Sequence, residues 1–440
     1  MMSRLPRLFF NANVINEQQA SSLYATEKTH LSSNHQEIDF HELDNLISNQ
    51  VKVTDEAQRD ESHTSCYIHQ IISKAVRQKA SDIHFEPYKH WFRIRFRCDG
   101  ILVEVHQSPH QICKRLVARV KILSQLDISE RRLPQDGRLT HRLNKSNDVH
   151  IRVSTLPTMW GEKLVLRILD NQVTSLDLKM LGYSTAQRQI YEQALKKPQG
   201  LILITGPTGS GKTLSLYSGL STLDSERLNI SAAEDPIEIS FSGINQVQIQ
   251  PQIGFGFAEA LRAFLRQDPD VIMLGEIRDK ETADIATKAA QTGHLVLATL
   301  HTNSSTEAIT RLKNIGIEPH NIAASLCLVI AQRLLRRLCP LCKTPAPIPE
   351  CLSKDNYSMF YQASTHGCSA CNNGYLGRIG IYEMFSITPE ISDSILKKDA
   401  QHQLDKLAKK QGIKTLYQSG LERVNQGITS YAELRRILAP

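Results

Sequence analysis

Leu201-Ile202-Leu203-Ile204-Thr205-Gly206-Pro207-Thr208-Gly209-Ser210-Gly211-Lys212-Thr213 joins an apolar run to a glycine-rich loop. The first five residues show no polar alternation, which is typical of a strand buried on both faces of a parallel sheet. The next eight satisfy the pattern G-x-x-x-x-G-K-[ST], and a helical pattern follows as far as Leu220. A chance glycine turn would lack this flanking strand and helix, so the stretch predicts a phosphate-binding loop.

This loop predicts how ATP and Mg²⁺ would be bound. Its glycines let backbone N–H groups turn inward around the β-phosphate, and the positive end of the following helix adds to the attraction. The lysine of such a loop bridges the β- and γ-phosphates, and the next hydroxyl coordinates magnesium. The candidate nucleotide-binding residues are therefore Gly206, Pro207, Thr208, Gly209, Ser210, Gly211, Lys212 and Thr213, with Thr213 also the magnesium ligand.

Two acidic segments are candidates for the chemistry of hydrolysis. An apolar strand over residues 271–274 leads through Gly275 to Glu276, which we expect to act on magnesium through water. Proline within residues 234–238 disfavours a helix, so Glu234 or Glu238 would lie on a strand end or turn and could orient the attacking water. The alternatives are a core strand whose last glutamate only meets solvent, and an ordinary acidic surface turn.

Two arginines and two histidines are further candidates for nucleotide contacts. Arg262 and Arg266 are spaced i, i+4 on a predicted helix, where they would face the γ-phosphate or a neighbouring subunit. The alternative is a pair of ordinary solvent-exposed helix arginines. His294 and His301 flank a predicted buried strand over residues 295–300, and the two positions suggest a γ-phosphate sensor. A histidine at a strand end is also commonly structural.

Four of the nine cysteines occur in two C-x₂-C pairs, Cys339 with Cys342 and Cys368 with Cys371. Thiolates at this spacing converge on one tetrahedral Zn²⁺ ion, which stabilises small modules. A thioredoxin-like redox pair is the alternative, but it uses one such motif near a βαβ unit and fits two pairs in a glycine-rich segment poorly. A site with four sulfur ligands has no open position, so we expect zinc to be structural.

The composition is that of a folded globular chain. Of the 440 residues 41% are hydrophobic and 22% charged, which excludes disordered, collagen-like and low-complexity proteins. The longest largely apolar stretch, residues 322–331 with Ser325 inside it, is shorter than the ~18 residues of a membrane-spanning helix. The net charge of +7 fits nucleic acid, anionic lipid or nucleotide as a partner, or simply a solvated surface. These features predict a cytoplasmic protein.

The pattern along the chain predicts an α/β protein of five parts. A loosely ordered arm over residues 1–60 precedes an α+β domain at 61–185, whose strands alternate polar and apolar residues. A RecA-like P-loop ATPase domain with a parallel sheet is expected at 186–338. A tetracysteine zinc module at 339–380 and a C-terminal helical region at 381–440 complete the chain.

Several motifs together resemble the secretion ATPases of type II secretion and type IV pilus assembly, the GspE and PilB group. In the first domain these are Ala80-Ser81-Asp82-Ile83-His84-Phe85-Glu86-Pro87, Leu133-Pro134-Gln135-Asp136-Gly137-Arg138 and Gly161-Glu162-Lys163. In the ATPase half, residues 234–238 resemble the family's Asp box, 265–276 its Walker B region and 292–303 its His box. The similarity spans about residues 65–438.

The resemblance implies a homo-hexameric ring with ATP sites between subunits. Arg138 and Arg152 of the first domain would then reach the nucleotide and join Lys212, Glu238 and Glu276 as catalytic residues. The ring would act at the inner membrane on a polytopic platform protein, and through it on a pilin or pseudopilin. The tetracysteine module favours the assembly and secretion branch over the retraction motors. The region before residue 61 is shorter than the docking domain common in this family.

Two other functions are compatible with a phosphate-binding loop. A ring-shaped nucleic-acid-translocating ATPase would suit the basic body, but no aromatic and basic stretch of the RNP kind occurs, and direct nucleic-acid binding is not expected. A scaffold that binds ATP without hydrolysing it is disfavoured because Lys212, Thr213, Glu238 and Glu276 are all present.

Overall fold

The computed structural model describes residues 57–144, 147–169, 176–352 and 359–438. It divides the chain into two compact units, residues 1–67 and 68–440, and the elements discussed below belong to the second. The predicted arm at 1–60 lies outside the described residues except for its last four. These four begin helix α1, Ala57–Arg77.

The first sheet has six antiparallel strands in the order β3-β2-β1-β6-β5-β4. Its strands and covering helix are β1 Ala80–Pro87, β2 Trp91–Cys98, β3 Ile101–Pro109, α2 His110–Leu123, β4 Gln135–Asn144, β5 Asn147–Thr158 and β6 Gly161–Leu169. Alternate residues of β2 are buried, including Ile94 and Phe96, as the period of two in the sequence predicts. Helix α2 buries Leu116 and Val120 and packs against β2, β3 and β6 of this sheet.

The second sheet has seven strands, of which the last in the chain is β15, Tyr375–Ser386; their order is β15-β12-β7-β11-β10-β8-β9. Its strands and helices up to position 338 are α3 Leu178–Leu181, α4 Thr185–Leu195, β7 Gly200–Thr205, α5 Lys212–Leu220, β8 Ile230–Glu234, β9 Asn245–Gln248, α6 Phe257–Phe264, β10 Val271–Leu274, α7 Lys280–Gln291, β11 Leu295–Leu300, α8 Ser305–Ile315, α9 Pro319–Ser325 and β12 Leu326–Leu338. All residues of β7, β10 and β11 are buried, and apolar clusters lie on both faces of the sheet. This is the two-sided burial that the uninterrupted apolar runs predict.

The strands of the second sheet run parallel except for β15, so its two edges differ. We call the edge where the parallel strands end the carboxyl edge and the opposite one the amino edge. The loop that follows β7, the turn that follows β10 and the segment that follows β11 all lie at the carboxyl edge. Loops at this edge bind ligands in open parallel sheets.

The C-terminal part of the chain returns to the second sheet before it forms helices. Its elements are β13 Thr344–Ala346, β14 Phe360–Gln362, β15 Tyr375–Ser386, α10 Pro389–Leu396, α11 Gln401–Lys410, α12 Leu416–Asn425 and α13 Tyr431–Leu438. Strand β15 pairs with β12 and extends across position 380, where the sequence suggests a boundary. None of the helices in the described part of the chain combines the length and apolar character needed to cross a bilayer.

Candidate nucleotide-binding site

The glycine-rich loop occupies the turn between β7 and α5 at the carboxyl edge. Gly211 caps α5 with a φ of +86°, a left-handed conformation that a side chain would strain. Gly206 lies so close to β12 that a Cβ atom on it would be 2.6 Å from the carbonyl oxygen of Gln332. The loop therefore has the glycines where its backbone needs them, directly before the amino end of a helix.

Lys212 folds back over this loop. Its Nζ donates to the carbonyl oxygens of Gly206 at 2.9 Å and Pro207 at 3.2 Å. The pKa of Lys212 is lowered to about 8, chiefly by burial; the nearby Arg333 contributes to the lowering, while Glu276 and Glu238 act in the opposite direction. The ammonium is therefore short of negative partners, and a phosphate group would supply one.

Four charged or titratable side chains meet at the ends of β8, β10 and β11. Glu276 lies 3.3 Å from His301 Nε2 and forms an ion pair with Arg278. Arg278 also reaches Asp235, at 3.5 Å between Nη1 and Oδ2. Parallel strands bring these residues together because their carboxyl ends share one edge. Our sequence analysis did not single out Arg278, although its position two residues after Glu276 was a usable signal.

The two glutamates of the segment 234–238 occupy different environments. Glu234 is 3% exposed, and its Oε1 accepts from the Tyr217 hydroxyl and from Gln246 Nε2. Burial raises the pKa of Glu234. Glu238 is exposed on the following turn and contributes to the field at Lys212. Glu238 is therefore open to solvent, whereas Glu234 is buried and hydrogen-bonded to Tyr217 and Gln246.

The helix arginines have local partners. Arg262 forms an ion pair with Glu281 of α7 and lies 3.5 Å from Glu259. Arg266 follows α6 and donates to the Arg262 carbonyl at 2.7 Å. The structure thus engages both with neighbouring helix residues, and it does not bring them to the phosphate loop through any described contact.

His294 and His301 lie at opposite edges of the second sheet, as their positions at the two ends of β11 require. His294 precedes β11 at the amino edge, where its carbonyl accepts from Gly200 N at 3.1 Å. The seven residue steps from His294 to His301 place the two histidines about 23 Å apart at ~3.3 Å per residue. Within one subunit the phosphate loop therefore lies with His301 and not with His294.

The two arginines predicted from the first domain are neighbours. Arg138 of β4 and Arg152 of β5 are directly opposite in the antiparallel ladder. Arg138 Nη2 donates to Gln248 Oε1 at 3.2 Å, and Gln248 pairs with Glu234 in the second sheet. The arginine pair thus lies beside the β8–β9 side of its own chain's second sheet.

The four paired cysteines converge as the spacing predicts. Their sulfur atoms all lie within 4.8 Å of one another, and the pairs Cys339–Cys368 and Cys342–Cys371 are each 3.7 Å apart. Four sulfurs bound tetrahedrally at ~2.3 Å would be separated by about 3.8 Å. The donor set therefore fits one zinc-sized ion and not two disulfides.

Comparison with known proteins agrees with this geometry. The family model "Type II/IV secretion system protein" matches residues 57–436. The chain belongs to this family. It is 48% identical over 428 residues to "Type IV pilus assembly ATPase PilB" of Acinetobacter baylyi, covering 94% of this chain and 73% of that protein. It is 43% identical over 398 residues to "Type II secretion system protein E" of Pseudomonas aeruginosa, covering 89% and 79%.

Solved structures of related ATPases share the fold. The pilus retraction motor PilT with bound ADP matches with a TM-score of 0.58 at 25% identity, covering 85% of this chain and 97% of PilT. The Legionella pneumophila ATPase DotB matches with a TM-score of 0.64 at 20% identity, covering 84% and 95%. The family, the α/β fold class and the ATPase activity predicted from the sequence are thus confirmed. None of the proteins named here is described as a nucleic-acid translocase.

Proposed function

We propose that this chain hydrolyses ATP at the carboxyl edge of the second sheet to drive assembly of a type IV pilus or pseudopilus. The observation that carries the proposal is the meeting of the phosphate loop, Glu276 and His301 at one edge. Relatives at 43% and 48% identity that are named for type II secretion and pilus assembly support the biological role.

We assign the residues at this edge distinct roles. Lys212 would leave the loop carbonyls and contact the β- and γ-phosphates, and Thr213 would hold Mg²⁺ with Glu276 acting through water. Mg²⁺ supplies charge neutralisation on the phosphates when it is bound. The exposed carboxylate of Glu238 would orient the attacking water. Arg278 would keep Glu276 and Asp235 in place through its two ion pairs.

The active form would be a homo-hexameric ring at the cytoplasmic side of the inner membrane. It would act on a polytopic platform protein and, through it, on a pilin or pseudopilin. A test is the ATPase rate across a protein concentration series, with the mass measured in parallel by light scattering. We expect the specific rate to rise as the hexamer forms. A constant rate carried by monomers would contradict the ring.

Arg138 and Arg152 would contribute to the nucleotide site from the first sheet. Changing either to alanine should lower the ATPase rate, while Arg142→Ala provides a matched control. Arg142 lies on the same strand, is exposed and pairs with Asp148 at 2.9 Å, away from Gln248. Equal rates in all three variants would remove the arginines from the site.

A mixture of two variants shows whether the arginines serve the site of their own chain or that of a neighbouring subunit. In hexamers of catalytically inactive Lys212→Ala chains mixed with Arg138→Ala chains, activity would recover only if arginines act across subunits. Gln248 ends β9, which lies four strand positions from β7 at the edge of the sheet, so its contact keeps Arg138 away from the phosphate loop of its own chain. We therefore expect recovery, and no recovery would assign the arginines to the site of their own chain.

The four cysteines would hold a structural Zn²⁺. Cys339→Ser should lose the metal and destabilise the segment around it, because a zinc site contributes folding free energy. Cys351→Ser is the control, since Cys351 is exposed and outside the cluster. The measurement is zinc content per chain. A Cys339→Ser protein that retains one equivalent of zinc would contradict the assignment.

The ATPase rate in the presence of DNA or RNA tests the alternative of a nucleic-acid motor. We expect DNA and RNA to leave the ATPase rate unchanged at low salt. A stimulation that disappears as salt is raised would instead favour a translocase, because counterion release makes nucleic-acid binding depend on salt.

A further inference from the structure

A buried glutamine of β12 lies directly beneath the phosphate loop. Gln332 is 1% exposed and follows Ala331, which is paired with Thr205 at the end of β7. The glutamine therefore occupies the strand position next to the start of the loop. Neither the nucleotide-binding pattern nor the proposed catalytic residues include it.

The side-chain amide of Gln332 hydrogen-bonds to the loop through its nitrogen and to the following helix through its oxygen. Nε2 donates to the carbonyl oxygen of Ser210 at 2.8 Å. Oε1 accepts from the hydroxyl of Ser215, also at 2.8 Å. Ser215 is fully buried in α5, so one side chain joins the fourth residue of the loop after Gly206 to the first turn of the helix.

The backbone of the same residue sets the entrance to the loop. The Gln332 carbonyl accepts from Arg333 Nη1 at 2.9 Å and lies where a Cβ atom on Gly206 would collide with it. Arg333 Nη2 in turn donates to the carbonyl of Asn303 at 3.1 Å. Through these contacts β12 connects the phosphate loop with the segment after β11 that carries His301.

We infer that Gln332 is a positioning residue that fixes the phosphate loop in the conformation that binds the β-phosphate of a nucleoside di- or triphosphate. The inference rests on the proposed role of residues 206–213 in nucleotide binding. A loop that encloses a phosphate must direct successive N–H groups to one point, and its glycines leave it free to adopt other conformations. The Ser210 carbonyl points to Gln332, and this orients the peptide group whose N–H belongs to Gly211.

The first test is Gln332→Met, which keeps the length of the side chain and removes both hydrogen bonds. We expect the ADP dissociation constant to rise about tenfold, the change that two ordinary buried hydrogen bonds produce. Gln291→Met is the matched control. Gln291 ends α7 at the amino edge, where its Nε2 donates to the Asn321 carbonyl at 3.1 Å. Its ADP affinity should equal that of the wild type.

A purely structural role predicts a different result. In that case Gln332→Met would lower the melting temperature without nucleotide, while ADP binding measured well below that temperature would be unchanged. This outcome would overturn the inference. Ser215→Ala supplies a second measurement, because loss of its hydroxyl should weaken ADP binding less in Gln332→Met than in the wild type.

Gln332→Glu gives a readout that depends on protonation. The glutamate retains an acceptor for Ser215 but offers the Ser210 carbonyl a donor only when it is protonated. We expect ADP affinity of this variant to increase relative to wild type as pH is lowered from 8 to 6. If the ADP affinity of Gln332→Glu equals that of the wild type throughout this pH range, the role of Gln332 is contradicted.

Failure of this inference can be separated from failure of the proposed site. If Lys212→Ala binds ADP as tightly as wild type, residues 206–213 are not the nucleotide site. If Lys212→Ala loses ADP and Gln332→Met retains wild-type affinity, the site stands and the positioning role is wrong.

Discussion

The two edges of the second sheet share the same strands and differ in chemistry. The carboxyl edge collects the phosphate loop, Glu276, Arg278 and His301, with a lysine whose pKa is lowered by burial. The amino edge carries His294, whose ring Nδ1 lies 3.0 Å from the Ala289 carbonyl in a local contact. The difference shows that the direction of a strand, more than residue type or closeness in sequence, decides which side chains form the site.

The contrast between the two edges is tested most directly with Lys212 at the carboxyl edge and Lys288 at the amino edge. Lys212→Ala should abolish ATP hydrolysis, because the contact to the β- and γ-phosphates is lost. Lys288→Ala, in the last turn of α7 at the amino edge, should retain the wild-type rate. Steady-state ATPase assays decide between them, and normal turnover in Lys212→Ala would disprove the site.

Glu276 and Asp270 flank the same strand and provide the next test. Glu276→Gln should lower kcat about 100-fold with ADP binding retained, since its proposed action on Mg²⁺ stabilises charge in the transition state while the phosphate loop holds ADP. Asp270→Asn removes an acid whose Oδ2 accepts from Asn229 N at 2.8 Å, at the other end of β10. We expect its kcat to be nearly unchanged. Equal losses in both variants would show that strand stability, and not the carboxyl edge, is being measured.

The two histidines test the same contrast between the edges with a smaller expected effect. His301→Ala should lower kcat about tenfold, the effect of losing one hydrogen bond to a charged group. His294→Ala should change kcat by less than about twofold, since most surface substitutions have small effects. The same assays measure both. A larger loss in His294→Ala would place the amino edge at a site, for example one formed with a neighbouring subunit.

The smallest effect concerns the protonation of Lys212. Bound phosphate favours the charged amine, so affinity is complete below the pKa of the free protein and is lost as the pH rises through it. With that pKa at about 8, ADP affinity should fall about fourfold between pH 7 and pH 8.5. Lys212→Arg, whose charge does not titrate in this range, should show no such change. A fall of the same size in Lys212→Arg would exclude Lys212 as its origin.

Local patterns predicted much of the second sheet. The runs that form β10 and β11 are bounded as expected because buried parallel strands are uninterrupted apolar segments. The phosphate loop and the cluster of four cysteines could equally be predicted from the sequence, since each function requires residues at a fixed short spacing. At the start of α13, Ser430 and Glu433 have the spacing of a capping box, but only half of it forms: Glu433 N donates to Ser430 Oγ, while the Glu433 carboxylate binds Arg336 and Arg436.

Other features depend on pairing between distant parts of the chain. Gln332 reaches Ser210 across more than one hundred positions, and β15 joins the sheet after the cysteine-rich segment. The sequence predicted a parallel sheet and a histidine at each end of β11, but it did not show that β7 and β10 are the neighbours of β11. The order of strands in a sheet arises from tertiary packing, which local periodicity does not encode.

The most direct test of the site is a crystal structure of the protein with ADP and Mn²⁺, in which anomalous scattering locates the metal. We expect one manganese peak at the carboxyl edge, between Thr213 and Glu276, with the β-phosphate enclosed by residues 206–213. A nucleotide and metal bound elsewhere, with the loop empty and Lys212 still on the carbonyls of Gly206 and Pro207, would contradict it.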